Sequence, residues 1–128
     1  MKTYTLSLKV RDYECDLQGI VNNANYQHYL EHARHEYIQT LGISFSDLHA
    51  KGIDFVVARI EMAFKTPLKS KDCFLVSVDM KKEGIRWVFH QNIYRESDHT
   101  LVVKAKVDAV CLVNGKLKEY DLLHKTSD

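Results

Sequence analysis

The chain contains few of the residues that are typical of flexible linkers, proline and glycine, and few of the cysteines that form disulfide cross-links. It contains one proline, five glycines and three cysteines in 128 residues. No linker, repeat or low-complexity segment appears, and 45% of the residues are apolar, which suits one ordinary core at this length. We therefore expect a single domain over residues 1–128.

Long hydrophobic runs and a basic stripe are also missing. The net charge is +1 with the lysines scattered, so nucleic-acid binding has no electrostatic footprint. The N-terminus alternates polar and apolar residues, and no apolar run reaches membrane-spanning length. Three cysteines without metal-type spacing are typical of reduced thiols. These absences predict a soluble cytoplasmic protein with no nucleic-acid or membrane partner and no structural zinc.

Helical periodicity follows the first strand. Apolar residues recur at three- and four-residue steps over about 18 residues before Gly42 ends the pattern. This stripe consists of Tyr26, Leu30, Ala33, Tyr37 and Leu41. A second, short helix is predicted from Ser44 to Lys51, with Ser44 as its N-cap.

Period-two alternation predicts the strands. One strand precedes the long helix and at least four follow it, and Asn114-Gly115 favours a type I′ turn into a short return strand near Leu117. The predicted strands are Tyr4 to Val10, Ala58 to Phe64, Phe74 to Met80, Trp87 to Ile93 and Leu101 to Val113. This order indicates an α+β fold in which an antiparallel sheet wraps the long helix.

Asp16 lies between the first strand and the helix, which begins seven residues later. Unpaired N–H groups at a helix start can hold a developing oxyanion, and a nearby carboxylate can act as base or nucleophile. The pattern indicates carbonyl chemistry. Taken alone, however, an aspartate at such a place is more often a turn or capping residue.

The run Asp16-Leu17-Gln18-Gly19-Ile20-Val21, followed by Asn25-Tyr26, resembles the 4-hydroxybenzoyl-CoA thioesterase group of the hotdog-fold superfamily. Glu31-His32-Ala33-Arg34-His35-Glu36 is similar to the family's Glu-x-Ala-Arg-x-Glu helix. The resemblance implies a hotdog fold, with five or six antiparallel strands around one long helix. Where this chain has Asn23, many relatives have a histidine, so any role of that histidine is lost.

The resemblance also implies an activity, hydrolysis of an acyl-CoA thioester to the free acid and CoA. In the family, the aspartate matching Asp16 attacks the carbonyl or activates a water, and the sequence does not choose between these roles. The oxyanion donor falls on the backbone N–H of Asn23 or a neighbour, and the Asn23 side chain either adds a donor or caps the helix. No metal or redox cofactor is implied.

Candidate substrate contacts follow from the same likeness. The phosphates of CoA need cations, and the resemblance favours the basic turn from Lys82 to Arg86 over the lysines around Pro67. Those lysines are Lys65, Lys69 and Lys71. Tyr26 is the main candidate for the acyl pocket, and Tyr29, Phe55 and Trp87 are further ones.

Relatives form dimers with the active site at the subunit interface, often as dimers of dimers, so a homodimer or homotetramer is expected. Two alternatives stay open. Val21-Asn22-Asn23 with Tyr26 resembles the helix start of fatty acyl-ACP thioesterases, which implies an acyl carrier protein as partner. A noncatalytic acyl-CoA-binding hotdog protein is the other alternative.

Three further motifs have simpler explanations. His28-Tyr29-Leu30-Glu31-His32 matches the H-x-x-E-H zinc-peptidase string, but its histidines fall off the apolar stripe and are expected to face solvent. Glu31 and Glu36 are expected to be structural, with Arg34 or surface lysines as partners. Cys15 is expected to be a small buried residue.

Overall fold

The computed structural model describes residues 3–123 as one antiparallel sheet with one long and one short helix. The sheet order is β1-β3-β4-β5-β2, with β6 beside β5. The elements are β1 (Tyr4–Lys9), α1 (Asn23–Thr40), α2 (Phe45–Ala50), β2 (Ile53–Phe64), β3 (Cys73–Glu83), β4 (Arg86–Arg95), β5 (Leu101–Val113) and β6 (Lys116–Leu117). A single turn of 3-10 helix covers Asp12–Glu14.

The apolar stripe of α1 forms the centre of the core. Leu30 and Ala33 are fully buried, and they share one cluster with the apolar side chains at alternate positions of β3, β4 and β5. The predicted stripe differs at its end, because Leu41 is the C-cap residue of α1 and is 39% exposed. The core therefore lies between α1 and one face of the sheet.

The strand β2 begins five residues earlier than the alternation predicts, at Ile53 instead of Ala58. Its register against β5 shifts between Val57 and Arg59, so Ala58 has no partner there and is exposed. A β-bulge of this kind breaks the two-residue period that identifies a strand in a sequence. β2 is thus a strand of 12 residues at an open edge of the sheet.

The turns predicted by glycine-containing pairs are confirmed. Asn114 and Gly115 have φ values of 52° and 81°, as a type I′ turn between β5 and β6 requires. Ser44 caps α2, since its hydroxyl accepts the N–H of Asp47 at 3.3 Å.

Two composition features can be compared with the fold. Within residues 3–123, no helix combines the length and apolarity needed to span a membrane. All three cysteines are free, and the described residues contain no group of three or more metal-ligating side chains.

Candidate active site

Asp16 opens a tight turn in a short hairpin that precedes α1. Its N–H donates to the Ile20 carbonyl at 2.9 Å, and its own carbonyl accepts the Gly19 N–H at 3.0 Å. Gly19 has a φ of +80°, a conformation that favours glycine and lets the chain turn back within four residues. Cys15 and Val21 pair at the base of this hairpin. The hairpin therefore fixes the backbone of Asp16.

The Asp16 carboxylate also has a turn role. Its Oδ1 accepts the Gln18 N–H at 2.8 Å, the hydrogen bond of an Asx-turn. The side chain is exposed, and the second carboxylate oxygen makes no hydrogen bond within residues 3–123. The structural and the chemical interpretation of Asp16 are thus compatible, because one oxygen is held and the other faces solvent.

The start of α1 is capped by Asn22. Its Oδ1 accepts the Ala24 N–H at 3.0 Å, and its carbonyl accepts the Asn25 N–H at 2.9 Å. The prediction left Asn23 either as the cap or as a donor, and the structure gives the cap to Asn22. The Asn23 N–H has no acceptor among residues 3–123, and the Asn23 side chain is exposed. Asn23 is therefore available as a donor at the positive end of the helix.

The hairpin brings the carboxylate close to this helix start. The Asn22 N–H donates to the Glu14 carbonyl at 3.0 Å, and Asp16 pairs with Ile20 two residues further along the same hairpin. Two residues of extended chain separate these pairs by about 7 Å. The carboxylate predicted as base or nucleophile and the N–H predicted as oxyanion donor are thus brought near each other by the hairpin.

Tyr26 forms a wall beside Asn23. The two residues line a small cavity of about 230 Å³ together with Phe64, Lys65 and Pro67. Tyr26 is 3% exposed, and its hydroxyl accepts the Leu68 N–H at 2.9 Å. Burial raises the pKa of Tyr26, so the phenol stays neutral. Tyr26 thus lines this cavity as a neutral, almost fully buried side chain.

The two predicted cations lie elsewhere in the chain. Lys82 donates to the Gly84 carbonyl at 2.9 Å and pairs with Glu119, while Arg86 lies 3.8 Å from the Asp108 carboxylate. The Asp16 hairpin adjoins the Cys73 end of β3, and Lys82 is about 30 Å further along that strand at roughly 3.3 Å per residue. Within one chain, Asn23 and Tyr26 line one cavity and the hairpin of Asp16 leads into it through Ile20 and Val21, whereas Lys82 and Arg86 lie apart.

Comparison with known proteins identifies the family of this chain. Residues 10–122 match the model of a family described as the thioesterase-like superfamily. The chain belongs to the thioesterase-like superfamily. The hotdog fold implied by the sequence is confirmed by a solved relative of the same fold, a 1,4-dihydroxy-2-naphthoyl-CoA thioesterase from Synechocystis. That structure superposes with a TM-score of 0.87 at 17% identity, covering 94% of this chain and 90% of the other.

Curated relatives in the superfamily have thioesterase names. A chloroplastic acyl-acyl carrier protein thioesterase of Arabidopsis thaliana is 35% identical over 87% of this chain, which spans only 59% of the relative's length. An acyl-CoA thioesterase of Haemophilus influenzae is 30% identical, with 88% of this chain and 84% of that protein covered.

In this superfamily member, a buried brace holds the hairpin against α1. Glu14 is 8% exposed, and its Oε1 accepts the Tyr29 hydroxyl at 2.9 Å and the Arg11 N–H at 2.8 Å. The Asn25 amide donates to the Glu14 carbonyl at 2.8 Å. Sequence reasoning gave Glu14 no role and Asn25 only a place in the family motif, because neither residue belongs to an apolar pattern and these hydrogen bonds span 11 to 15 residues.

We expect Tyr29→Phe to destabilise the fold by about 1 to 3 kcal/mol, since it removes a buried hydrogen bond to a carboxylate. Burial and the adjacent Glu14 raise the pKa of Tyr29. A raised folded-state pKa gives stability that is complete below about pH 10 and is lost as the pH rises further. The free energy of unfolding, measured with urea between pH 7 and 11, should therefore fall less steeply with pH in the variant than in the wild type. Tyr13→Phe, at a residue 79% exposed, is the control, and equal pH slopes for wild type and Tyr29→Phe would contradict the brace.

The other residues considered from the sequence do not form a second catalytic site. His28 and His32 line a cavity of about 250 Å³ with Glu14, whereas Glu31 lines a different cavity, so H-x-x-E-H forms no joint site. Partial burial and the carboxylates of Asp12 and Asp16 raise the pKa of Cys15, which disfavours a thiolate nucleophile. Trp87 is 2% exposed and packs in the core.

Glu31 belongs to the α1–β2 cavity, a space of about 810 Å³ between α1, α2 and the first half of β2. Phe55, predicted for the acyl pocket, lies in its wall. Arg34 also lines it, and its hydrogen-bond partner is Gln91 and not the predicted glutamate.

Proposed function

We propose that this chain hydrolyses an acyl-CoA thioester to the free acid and CoA. The observation that carries the proposal is the hairpin that holds the Asp16 carboxylate beside the first turn of α1, where the Asn23 N–H has no acceptor among the described residues. Membership of the thioesterase-like superfamily and the acyl-CoA thioesterase name of the Haemophilus relative support the same reaction.

In the proposed mechanism the thioester carbonyl oxygen accepts the Asn23 N–H, and the helix dipole stabilises the negative charge that develops on it. Asp16 either attacks the carbonyl carbon, giving an anhydride that water then hydrolyses, or removes a proton from a water that attacks directly. In both routes the carbon–sulfur bond breaks and CoA leaves as its thiol. Neither route requires a metal or a redox cofactor.

A homodimer joined through β2 completes the site in this proposal. The free edge of β2 exposes Val56, Val57 and Phe64, by 37%, 46% and 50%. An open edge of this length pairs readily with another strand. A two-fold axis near the middle of β2 would set Phe64 of one protomer opposite Ile53 of the other. The Asp16 hairpin of one protomer then faces the α1–β2 cavity of its partner, which receives the acyl group. Two such dimers make a homotetramer.

The same dimer gives Lys82 and Arg86 a role in CoA binding. Val56, Val110 and Arg86 are neighbours on adjacent strands, so Arg86 lies two strand spacings, about 10 Å, from the β2 edge. This is the end of β2 that meets the other protomer's Asp16 hairpin. The turn between β3 and β4 is thus suited to contact the nucleotide of a CoA bound there.

We expect the double variant Lys82→Met/Arg86→Met to raise the KM for acyl-CoA severalfold and to leave the KM for the matching acyl-pantetheine unchanged, because only CoA carries the nucleotide phosphates. Lys104→Met, at an exposed residue of β5, is the control. An equal change in KM for both substrates would show that Lys82 and Arg86 do not contact the nucleotide. The Tm of each variant reports the cost of losing the contacts with Glu119 and Asp108.

Hydrolysis of an acyl carrier protein thioester is the alternative, favoured by the 35% identity to the Arabidopsis enzyme of that name. Release of free thiol from short, medium, long and aromatic acyl-CoA substrates tests the main proposal, and the same acyl groups on a carrier protein test the alternative. Much faster turnover of the carrier substrates would favour the latter. Binding of acyl-CoA without any turnover would favour a noncatalytic binder.

The proposed location is the cytoplasm, supported by the three free cysteines.

A further inference from the structure

The α1–β2 cavity is mostly apolar but has one buried cation in its wall. Its volume is about 810 Å³, enough for an acyl group of moderate size. The apolar part of the wall consists of Ile38, Phe45, Ile53, Phe55, Val56, Val57 and Leu112. Arg34, at the middle of α1, is only 5% exposed although it lines the cavity.

Arg34 uses little of its hydrogen-bonding capacity within the protein. A guanidinium has five N–H donors, and the described residues provide one acceptor, the Gln91 Oε1 at 3.0 Å from Nη1. Gln91 is itself fixed, because its amide donates to the Leu30 carbonyl at 3.0 Å. The Phe89 ring lies 5.9 Å from the guanidinium carbon. No carboxylate of residues 3–123 forms an ion pair with Arg34.

The charges around the cavity limit what can satisfy these donors. Burial lowers the pKa of Arg34, and the negative charge of Glu31 opposes that effect. Asp54, also in the wall, is engaged by His49 at 2.6 Å. The cavity therefore offers unused Arg34 N–H donors in a largely apolar wall, and neither Glu31 nor Asp54 forms an ion pair with them. The unpaired Arg34 nitrogens are not sealed from solvent, since among the described residues only Asp108 Oδ1 is a fully buried side-chain polar atom without a partner. A ligand methylene placed against these nitrogens would displace their water without offering an acceptor, so a ligand oxygen is favoured there over a methylene.

We propose that Arg34 is a specificity-determining residue that selects acyl groups carrying an oxygen acceptor, an oxo group or a carboxylate, over plain alkyl chains of equal length. The inference rests on the proposed thioesterase function, in which the acyl group enters this cavity. Arg34 does not touch the reacting carbonyl in this arrangement. Its effect is on which acyl chains bind productively, and Asp16 performs the chemistry on all of them.

The test compares kcat/KM for three acyl-CoA substrates of equal chain length, one alkyl, one with an oxo group in the chain and one with a terminal carboxylate. Two variants remove the free donors in different ways. Arg34→Met removes the cation and keeps the length of the side chain. Gln91→Glu keeps Arg34 and supplies an internal carboxylate at the position of the present hydrogen bond, which remains informative if Arg34→Met fails to fold.

For the wild type we expect one oxygenated substrate to exceed the alkyl substrate in kcat/KM by about tenfold or more, the effect of a hydrogen bond to a charged group. Which of the two it is identifies the acceptor. Both variants should bring this ratio close to one, because they lower kcat/KM for the oxygenated substrate more than for the alkyl substrate. A wild-type ratio near one, or a ratio unchanged in the folded variants, would overturn the role of Arg34 alone. Absence of turnover on every acyl-CoA would instead overturn the proposed function.

Discussion

Replacing Asp16 by asparagine is expected to lower kcat for acyl-CoA hydrolysis about a hundredfold or more, the usual contribution of a general base or nucleophile. The variant should keep its fold, because an asparagine Oδ1 can still accept the Gln18 N–H that the carboxylate accepts now. The exposed second oxygen loses its charge, and with it the ability to attack or to take a proton. Thiol release at equal folded concentration measures the loss.

Asp12→Asn is the matched control, since Asp12 is an exposed aspartate four residues away whose side chain contacts Ser70. We expect its kcat to stay close to that of the wild type. Equal turnover by wild type and Asp16→Asn would show that Asp16 stabilises the turn and has no catalytic role. Glu31, an exposed carboxylate in the α1–β2 cavity, would then be the next candidate base.

The second large effect concerns β2. We expect Ala58→Asp to convert the protein to monomers and to abolish most of its turnover. Ala58 is exposed at the bulge and has no partner on β5, so the fold of a single chain tolerates the change. Near a two-fold axis the new carboxylate would face its own copy, and like charges directly opposite each other destabilise strand pairing. Light scattering coupled to size exclusion gives the mass, and thiol release gives the activity.

Thr5→Asp is the control on the other edge strand, β1, where the residue is also exposed. It should leave both mass and turnover unchanged. A fully active monomer of Ala58→Asp would contradict a site shared between two protomers. A dimer that persists in Ala58→Asp but dissociates in Thr5→Asp would move the interface to β1.

Periodicity predicted most of the fold because each buried element has one clear apolar face. The exception is the first half of β2, where Phe55 packs against the core before the bulge, whereas Ile60 and Met62 do so after it. The extra residue reverses the alternation, and the half before the bulge borders an open cavity instead of a closed core. Neither feature has a signature in a single sequence.

The part of the site that consists of residues close together in the sequence was predictable. Asp16 and the helix start are consecutive in sequence, so a motif identifies both, although the cap falls on Asn22 and the sequence could not distinguish it from Asn23. The Glu14–Tyr29 brace and the Arg34–Gln91 contact join residues 15 and 57 positions apart. Such contacts depend on packing, which local patterns do not encode.

The bulge in β2 also bears on aggregation. A flat edge of twelve residues with exposed valines and phenylalanine would accept almost any other strand and could extend into fibrils. The register shift after Val57 interrupts the ladder near its middle. A foreign strand without a matching irregularity can pair along only half of this edge. In the proposed homodimer, the second copy carries the same irregularity near the two-fold axis, so the bulge would favour pairing of this edge with its own copy over pairing with another strand.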